Sequence, residues 1–221
     1  MNALQNLKIG TRLVGAFVIV TLITLAIGLL GLGKTAQISH MLEQMYDDGL
    51  VPAVAVGKAH MQAIHAHRAL YELVGDGYEE DMKRFKADYL KNEASMKKLL
   101  EKARQADLSE KVKQLTGKFD ALWADYRKES DHAMELAFAD KPTEAGALYS
   151  RDVSKRFKAV DDLLSEIVEA TAAHAQTAHD NSSSEVADVR NLIIAAIVLA
   201  MAASIGLGVI NTRSITRPIA E

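Results

Sequence analysis

One permanently charged side chain interrupts an apolar pattern between residues 54 and 75. Positions spaced alternately three and four residues apart are Val54, Gly57, Met61, Ile64, Arg68, Tyr71 and Gly75. A helix presents residues at this spacing to its partners in a bundle. Arginine keeps its proton and is costly to bury alone, so an inward-facing Arg68 requires an internal carboxylate, for which Glu129 is the candidate, or an external anion. The alternative is that Arg68 extends along the surface to water.

Aromatic and basic side chains are predicted to share the level of Arg68 in the bundle. We counted residues back along each predicted helix from the turns at the same end of the bundle as Gly75. The residues at the level of Arg68 are then Tyr71, Tyr89, Asn92, Trp123, Tyr126, Arg127, Tyr149, Arg151, Lys155 and Arg156. Arginines bind carboxylates through paired hydrogen bonds, and tyrosine hydroxyls can orient a ligand. The set is consistent with a pocket for a small organic anion. The alternative is that the tyrosines pack the core while the cations form a solvated face.

Other kinds of chemistry lack a matching pattern. His60 and His67 are two helical turns apart, whereas metal ligands on one helix recur at a spacing of three or four, so we expect solvated or interfacial histidines and no metal site. The sequence has no cysteine, which excludes disulfides and thiolate sites. Phosphate loops, nucleophile elbows and paired catalytic acids are not recognisable. We therefore predict a protein that is not an enzyme and carries no cofactor.

Two uncharged stretches are long enough to cross a membrane. Residues 13–33 and 191–211 each contain 21 residues without a charge, and a helix of about 20 apolar residues spans a hydrocarbon layer of about 30 Å. The first is longer than the apolar part of a secretory signal, so we expect it to remain as an anchor. Lys8 and Arg12 precede the first stretch, and Arg213 and Arg217 follow the second. The positive-inside rule therefore predicts that both termini lie in the cytoplasm.

The segment between the spans is predicted to lie outside the cytoplasm. The predicted parts are a cytoplasmic N-terminus (1–12), a first span (13–33), an outer domain (34–190), a second span (191–211) and a cytoplasmic segment (212–221). The outer domain holds 22 of the 26 bases and 28 of the 29 acids, so its net charge is 22 − 28 = −6. This acidic balance argues against nucleic acid as a partner.

The outer domain is predicted to be entirely helical. It is rich in Ala, Leu, Lys and Glu, and turn signals near residues 75–78, 106–109 and 139–143 divide it into four helices. Gly49 and Pro52 should bend the first helix. Asp76 and Asp107 are expected to cap the second and third helices, and Pro142 to lie in the first turn of the fourth. Short connections favour antiparallel neighbours, so the predicted fold is an all-α, up-down-up-down four-helix bundle with two transmembrane helices.

Three stretches of the chain resemble the amino-terminal half of a bacterial methyl-accepting chemotaxis protein with a four-helix-bundle sensor. Residues 7–13 (LKIGTRL), with Phe17, Gly28 and Gly31, are similar to the first span of that family. Residues 50–53 (LVPA), leading to Arg68, are similar to its first sensor helix. Residues 212–219 (TRSITRPI) are similar to the start of a HAMP module.

The resemblance implies a homodimeric chemoreceptor of the bacterial inner membrane with a periplasmic sensor. In the family, ligands bind near the membrane-distal end, and an arginine of the first sensor helix receives a ligand carboxylate. Arg68 fits that role, and the predicted ligand contacts are the residues of the level described above without Lys155 and Arg156. The ligand would be a dicarboxylic acid, a tricarboxylic acid or an amino acid, bound within one subunit or between two.

The resemblance also implies how a signal would leave the sensor. The fourth helix would pass a displacement through the second span to HAMP, and from there to a cytoplasmic signalling domain, kinase and adaptor that we expect beyond residue 221. The same sensor could instead precede a histidine kinase or a diguanylate cyclase. A bundle that docks a periplasmic binding protein, or that is only a structural membrane protein, is a further alternative.

Overall fold

The computed structural model describes residues 9–75 and 77–216, and these residues form helices joined by short connections. Its elements are α1 (Ile9–Gln44), a first π-helical segment (Met45–Leu50), α2 (Val51–Gly75), α3 (Glu79–Arg104), α4 (Glu110–Phe138), α5 (Pro142–Leu148), a second π-helical segment (Tyr149–Val153) and α6 (Ser154–Thr216). No strand occurs among these described residues, which confirms the all-α prediction. The predicted roles of Lys8, Asp76 and Arg217, and the end of the stretch at 212–219, fall outside the described residues.

The chain divides into two compact units, and the first contains the uncharged stretches. This unit comprises Met1–Leu42 and Asn181–Glu221. Its two helices are long and apolar enough to cross a membrane, and large side chains such as Phe17 and Leu199 are exposed. The hydroxyls of Thr21 and Thr24 donate to the carbonyl oxygens four residues earlier, at 2.9 and 3.0 Å. Polar groups on a lipid-facing helix are satisfied in this way without water.

The second unit, Glu43–Asp180, contains the helical bundle. The spacing of three and four residues also predicts inward positions on the other helices, and most of them are buried, including Tyr89 and Met96 on α3 and Phe119 on α4. All six positions predicted in this way from the end of the second π-helical segment into α6 are buried: Val153, Phe157, Val160, Leu164, Ile167 and Thr171. The heptad pattern therefore identified the core face of these helices correctly.

The predicted inward face of α2 is wrong. Val54, Met61, Ile64 and Tyr71 are between 44% and 62% exposed. Seven of the ten buried residues have the same spacing but are shifted by two residues: Pro52, Val56, Ala59, Ala63, Ala66, Leu70 and Leu73. In the middle of the helix the buried residues are small alanines, which let the neighbouring helices approach closely, and the larger Met61 and Ile64 lie on the opposite face. A pattern chosen by the size of its apolar residues therefore selects the outer face.

The first π-helical segment lies directly before Pro52, where a bend was predicted. Proline has no N–H and its ring crowds the carbonyl four residues earlier, so regular α-helical hydrogen bonding cannot continue through it. The Val51 N–H bonds instead to the Tyr46 carbonyl five residues earlier. Gly49 is buried in this segment, and a Cβ built there would lie 3.5 Å from Ala175. The irregular turn thus coincides with a close approach to α6.

The cap at the start of α4 differs from the predicted one, whereas the break after α4 falls where it was predicted, near residues 139–143. Ser109, not Asp107, is the N-cap of α4, and its hydroxyl accepts a hydrogen bond from the Val112 N–H. At the other end Asp140 has a left-handed backbone with φ of 58°, and the Lys141 N–H bonds to the Leu136 carbonyl at 3.0 Å. Pro142 occupies the start of α5 as predicted.

Candidate functional site

Arg68 lies on the outside of the bundle unit. Its side chain is 72% exposed, and its Nε donates to Glu72 Oε1 at 3.0 Å, one turn along the same helix. The expectation that Arg68 points into the bundle is therefore wrong, because the register of α2 is shifted. Glu129 is not its partner either, since Glu129 lies 3.8 Å from Arg156.

Three of the predicted ligand contacts are core residues. Tyr89, Trp123 and Tyr126 are buried, and the rings of Trp123 and Tyr126 pack with their centroids 4.9 Å apart. Burial raises the pKa of the Tyr89 hydroxyl and of the Tyr126 hydroxyl above the ordinary value. Both phenols therefore stay neutral, and these rings stabilise the middle of the bundle by packing.

His67, which was expected to be solvated or interfacial, connects this core to Tyr149. His67 Nδ1 lies 3.2 Å from the Tyr126 hydroxyl, and its Nε2 lies 2.9 Å from the Tyr149 hydroxyl. The imidazole stacks on Phe157 with ring centroids 3.8 Å apart. Burial lowers the pKa of His67 to about 4, against the opposing charge of Asp161. A neutral imidazole donates from one nitrogen and accepts at the other, so both hydroxyls are satisfied.

Arg127 is bound to carboxylates of the chain. Glu93 is only 4% exposed and pairs with Arg127, while the Trp123 indole N–H donates to Glu93 at 2.9 Å. Lys97 lies 2.8 Å from the same carboxylate, and Arg127 Nε donates to Asp131 at 2.8 Å. Burial raises the pKa of Glu93, but hydrogen bonds from Lys97 and Trp123 and the charge of Arg127 outweigh it and leave the pKa below its ordinary value.

The remaining predicted contacts lie at or near the surface. Arg151 is exposed and pairs with Asp152 at 2.8 Å, and Asn92 is half-buried. Lys155 is exposed, and Arg156 pairs with Asp125 at 2.9 Å. Each arginine of the predicted level thus has a carboxylate partner within the described chain, and these arginines do not converge on one cavity.

Two predicted contacts, Tyr71 and Tyr149, do come together at a cavity. Their ring centroids are 5.5 Å apart. The cavity has a volume of about 510 Å³ and is lined by Tyr71, Glu72, Val74, Gly75, Phe85, Gly146, Tyr149 and Ser150. These residues belong to α2, α3, α5 and the second π-helical segment, close to the turns that follow α2 and α4. We call it the distal cavity.

The sequence did not predict the contacts that His67, Glu93 and Glu72 make in the bundle. His60 and His67 are one heptad apart, and both contact the continuous helix formed by α5, the second π-helical segment and α6. His60 Nε2 lies 2.6 Å from Asp161 in α6. That spacing was available as a signal for a shared helix face. Glu72 follows Arg68 by four residues, which is the spacing of a helical ion pair. No comparable pattern marks Glu93, whose burial depends on how α3 and α4 meet.

Comparison with known families places the chain beside sensory modules. A family model described as a four helix bundle sensory module for signal transduction matches residues 6–186. Comparison with curated proteins and with solved structures finds no significant match to the chain.

Proposed function

We propose, from the premise that the chain belongs to the family of four helix bundle sensory modules for signal transduction, that it is the sensory part of a bacterial transmembrane chemoreceptor. The family match confirms the resemblance to chemotaxis receptors inferred from the sequence. Two helices long enough to span a membrane support a place in the inner membrane with the bundle in the periplasm and both termini in the cytoplasm. The ligand is a small organic acid or an amino acid.

The exposed face of α2 carries the proposal for where this ligand binds. Val54, Met61, Ile64 and Tyr71 form a heptad-spaced apolar stripe on that face, and Arg68 interrupts it. Such a stripe is self-complementary across a two-fold axis, so we assign it to contact with a second copy of the chain. The stripe would otherwise leave large apolar side chains in water.

A two-fold contact along this stripe explains why an anion is needed. It brings two Arg68 side chains towards each other, and two like charges in a partly desolvated interface repel. Glu72 offsets only part of this charge, because an exposed pair one turn apart contributes about 0.3–0.5 kcal/mol. A carboxylate ligand between the two arginines would relieve the repulsion and strengthen the interface. The ligand site is accordingly shared by two subunits.

The length of α6 supports a route for the signal. α6 extends without a break from Ser154 to Thr216, so it includes both core residues of the bundle and the apolar stretch at 191–211. A ligand shifts an equilibrium only if it binds one helix arrangement better than the other. Small sliding of packed helices is a low-cost motion of this kind. We propose that α6 carries it towards HAMP and the cytoplasmic kinase and adaptor.

Calorimetric titration tests the proposed site. The full chain in detergent micelles is titrated with a panel of dicarboxylic acids, tricarboxylic acids and amino acids, alongside Arg68→Ala. We expect at least one acid to bind, with a loss of about tenfold or more in the variant. Lys158→Ala is the matched control, because Lys158 is 74% exposed and pairs with Asp162 one turn away. Equal binding by Arg68→Ala and the unaltered chain would refute the role of Arg68.

A further inference from the structure

The distal cavity has a chemistry opposite to that of the proposed acid site. Of the eight described residues that line it, Glu72 alone is charged, and three others are the aromatic residues Tyr71, Phe85 and Tyr149. From this lining we propose that the distal cavity binds a small organic cation, such as a primary or quaternary ammonium group. This site borders the proposed acid site, because Arg68 pairs with Glu72, but the cation would bind through Glu72 and the aromatic rings, whereas the acid would bind through Arg68.

The aromatic walls have the geometry that attracts a cation. The Tyr71 and Tyr149 rings meet at 52° with their centroids 5.5 Å apart, so they form a corner. The face of an aromatic ring is negative and attracts an ammonium group within about 6 Å of its centre. The third ring already shows this property, because the Arg84 guanidinium lies 4.9 Å from the centre of Phe85. Asp81 pairs with Arg84 at 2.8 Å and offsets its charge.

Glu72 supplies the charge that selects a cation over a neutral molecule of the same shape. Its side chain is 35% exposed, and the Arg68 contact involves Oε1. The two oxygens of a carboxylate provide several acceptor positions, so one contact at Oε1 leaves room for a ligand N–H or a close methylammonium group. The net charge of −6 over residues 34–190 also raises the local concentration of cations.

The cavity contacts the part of the fold that leads into α6. Tyr149 and Ser150 belong to the second π-helical segment, and π-helical turns are frequent at functional sites. The Tyr149 hydroxyl also contacts His67 at 2.9 Å. A cation seated against Tyr149 would therefore touch the first turns of the helical run that continues to Thr216.

A pair of probes that differ only in charge tests the proposal. Choline and its neutral isostere 3,3-dimethylbutan-1-ol are titrated calorimetrically into the full chain in detergent micelles. We expect choline to bind at least about tenfold more tightly than the neutral alcohol, because only choline gains from Glu72 and the ring faces. Equal affinities would show an apolar groove without preference for charge and would overturn the proposal, as would the absence of choline binding.

Variants locate the site and separate it from the acid site. Glu72→Gln should weaken choline binding by about fivefold or more and leave the neutral alcohol unchanged. Tyr71→Phe should retain choline binding and Tyr71→Ala should reduce it, with Tyr46→Ala as a control of similar exposure. Unchanged choline affinity in Glu72→Gln would overturn the proposal. Because Arg68→Ala removes the cation that pairs with Glu72, this variant should bind choline at least as tightly as the unaltered chain while it loses acids. A failure of the cation site and a failure of the acid site are therefore distinguished.

Discussion

His67 should make the stability of the bundle depend on pH below neutrality. Its pKa is lowered from 6.5 to about 4 by burial, so the folded chain holds His67 neutral at a pH where the unfolded chain protonates it. The unfolded state then binds more protons between pH 6.5 and pH 4, and stability falls as the pH falls through this window. Above pH 6.5 the side chain has no such effect.

The size of the effect follows from the two pKa values. A folded-state pKa of about 4 against an unfolded pKa of 6.5 corresponds to about 3 kcal/mol when fully expressed below pH 4, and to about 2 kcal/mol at pH 5. Because His67 is half-buried, solvent screening should reduce this to about 1–2 kcal/mol at pH 5. For a chain of this length that is a decrease of about 2–8 °C in Tm between pH 7 and pH 5.

Thermal unfolding followed by circular dichroism measures the effect. The full chain in detergent micelles is compared with His67→Gln at pH 7, 6, 5 and 4.5. Glutamine offers both a donor and an acceptor to the Tyr126 and Tyr149 hydroxyls but does not titrate. The difference in Tm between the unaltered chain and His67→Gln should therefore shrink as the pH falls. Parallel curves across this range would refute the assignment of a buried neutral imidazole.

Two other substitutions test the remaining assignments. Arg127→Ala should lower the free energy of unfolding by about 2–3 kcal/mol, because it leaves Glu93 buried with Lys97 as its remaining cation; acid affinity should be unchanged, and a loss of acid binding without destabilisation would contradict the structural role. Asp140→Gly should raise the free energy of unfolding by about 0.5–1 kcal/mol, because glycine adopts the left-handed backbone at no steric cost; urea denaturation would measure it, and a decrease in stability would contradict the helix-end assignment.

The sequence predicted the class of fold and most of its helix faces because those depend on local periodicity. Tyr89, Phe119 and Val160 were all placed inward by the spacing of apolar residues alone, and all are buried. The four-helix sensor type was identified from motifs near residues 7–13, 50–53 and 212–219, and the family match confirms it.

The face of α2 could not be chosen from the sequence because two stripes share the same spacing. In the middle of the helix one stripe has Ala59, Ala63 and Ala66, and the other has the larger side chains of Met61 and Ile64. Burial depends on how closely α2 approaches its neighbours, and small residues permit the closest approach. When the outer face of a helix carries the larger apolar residues, a prediction based on their size takes that face for the core face. Contact with a second subunit would explain why such residues lie on the outside.

For a related reason, the residues predicted to lie at one level of the bundle do not all face the same way. Counting along each helix gives the height of a residue but not its direction, so Tyr126 and Arg151 share a level although one is buried and the other exposed. The pairing of Arg127 with Glu93 depends on the contact between α3 and α4, and the second π-helical segment changes the direction of residues near Tyr149. None of these features follows from spacing within one helix.

Disulfide cross-linking of α2 tests the central claim, that Arg68 lies between two copies of the chain. The chain has no cysteine, so Met61→Cys, Ile64→Cys and a control on the outer face of α3, Lys83→Cys, each introduce a single thiol. We expect the variants at positions 61 and 64 to oxidise rapidly to covalent dimers and the variant at position 83 to cross-link little. Addition of an acid that the chain binds should change the rate of cross-linking at positions 61 and 64. Equal or absent cross-linking at all three positions would contradict the account.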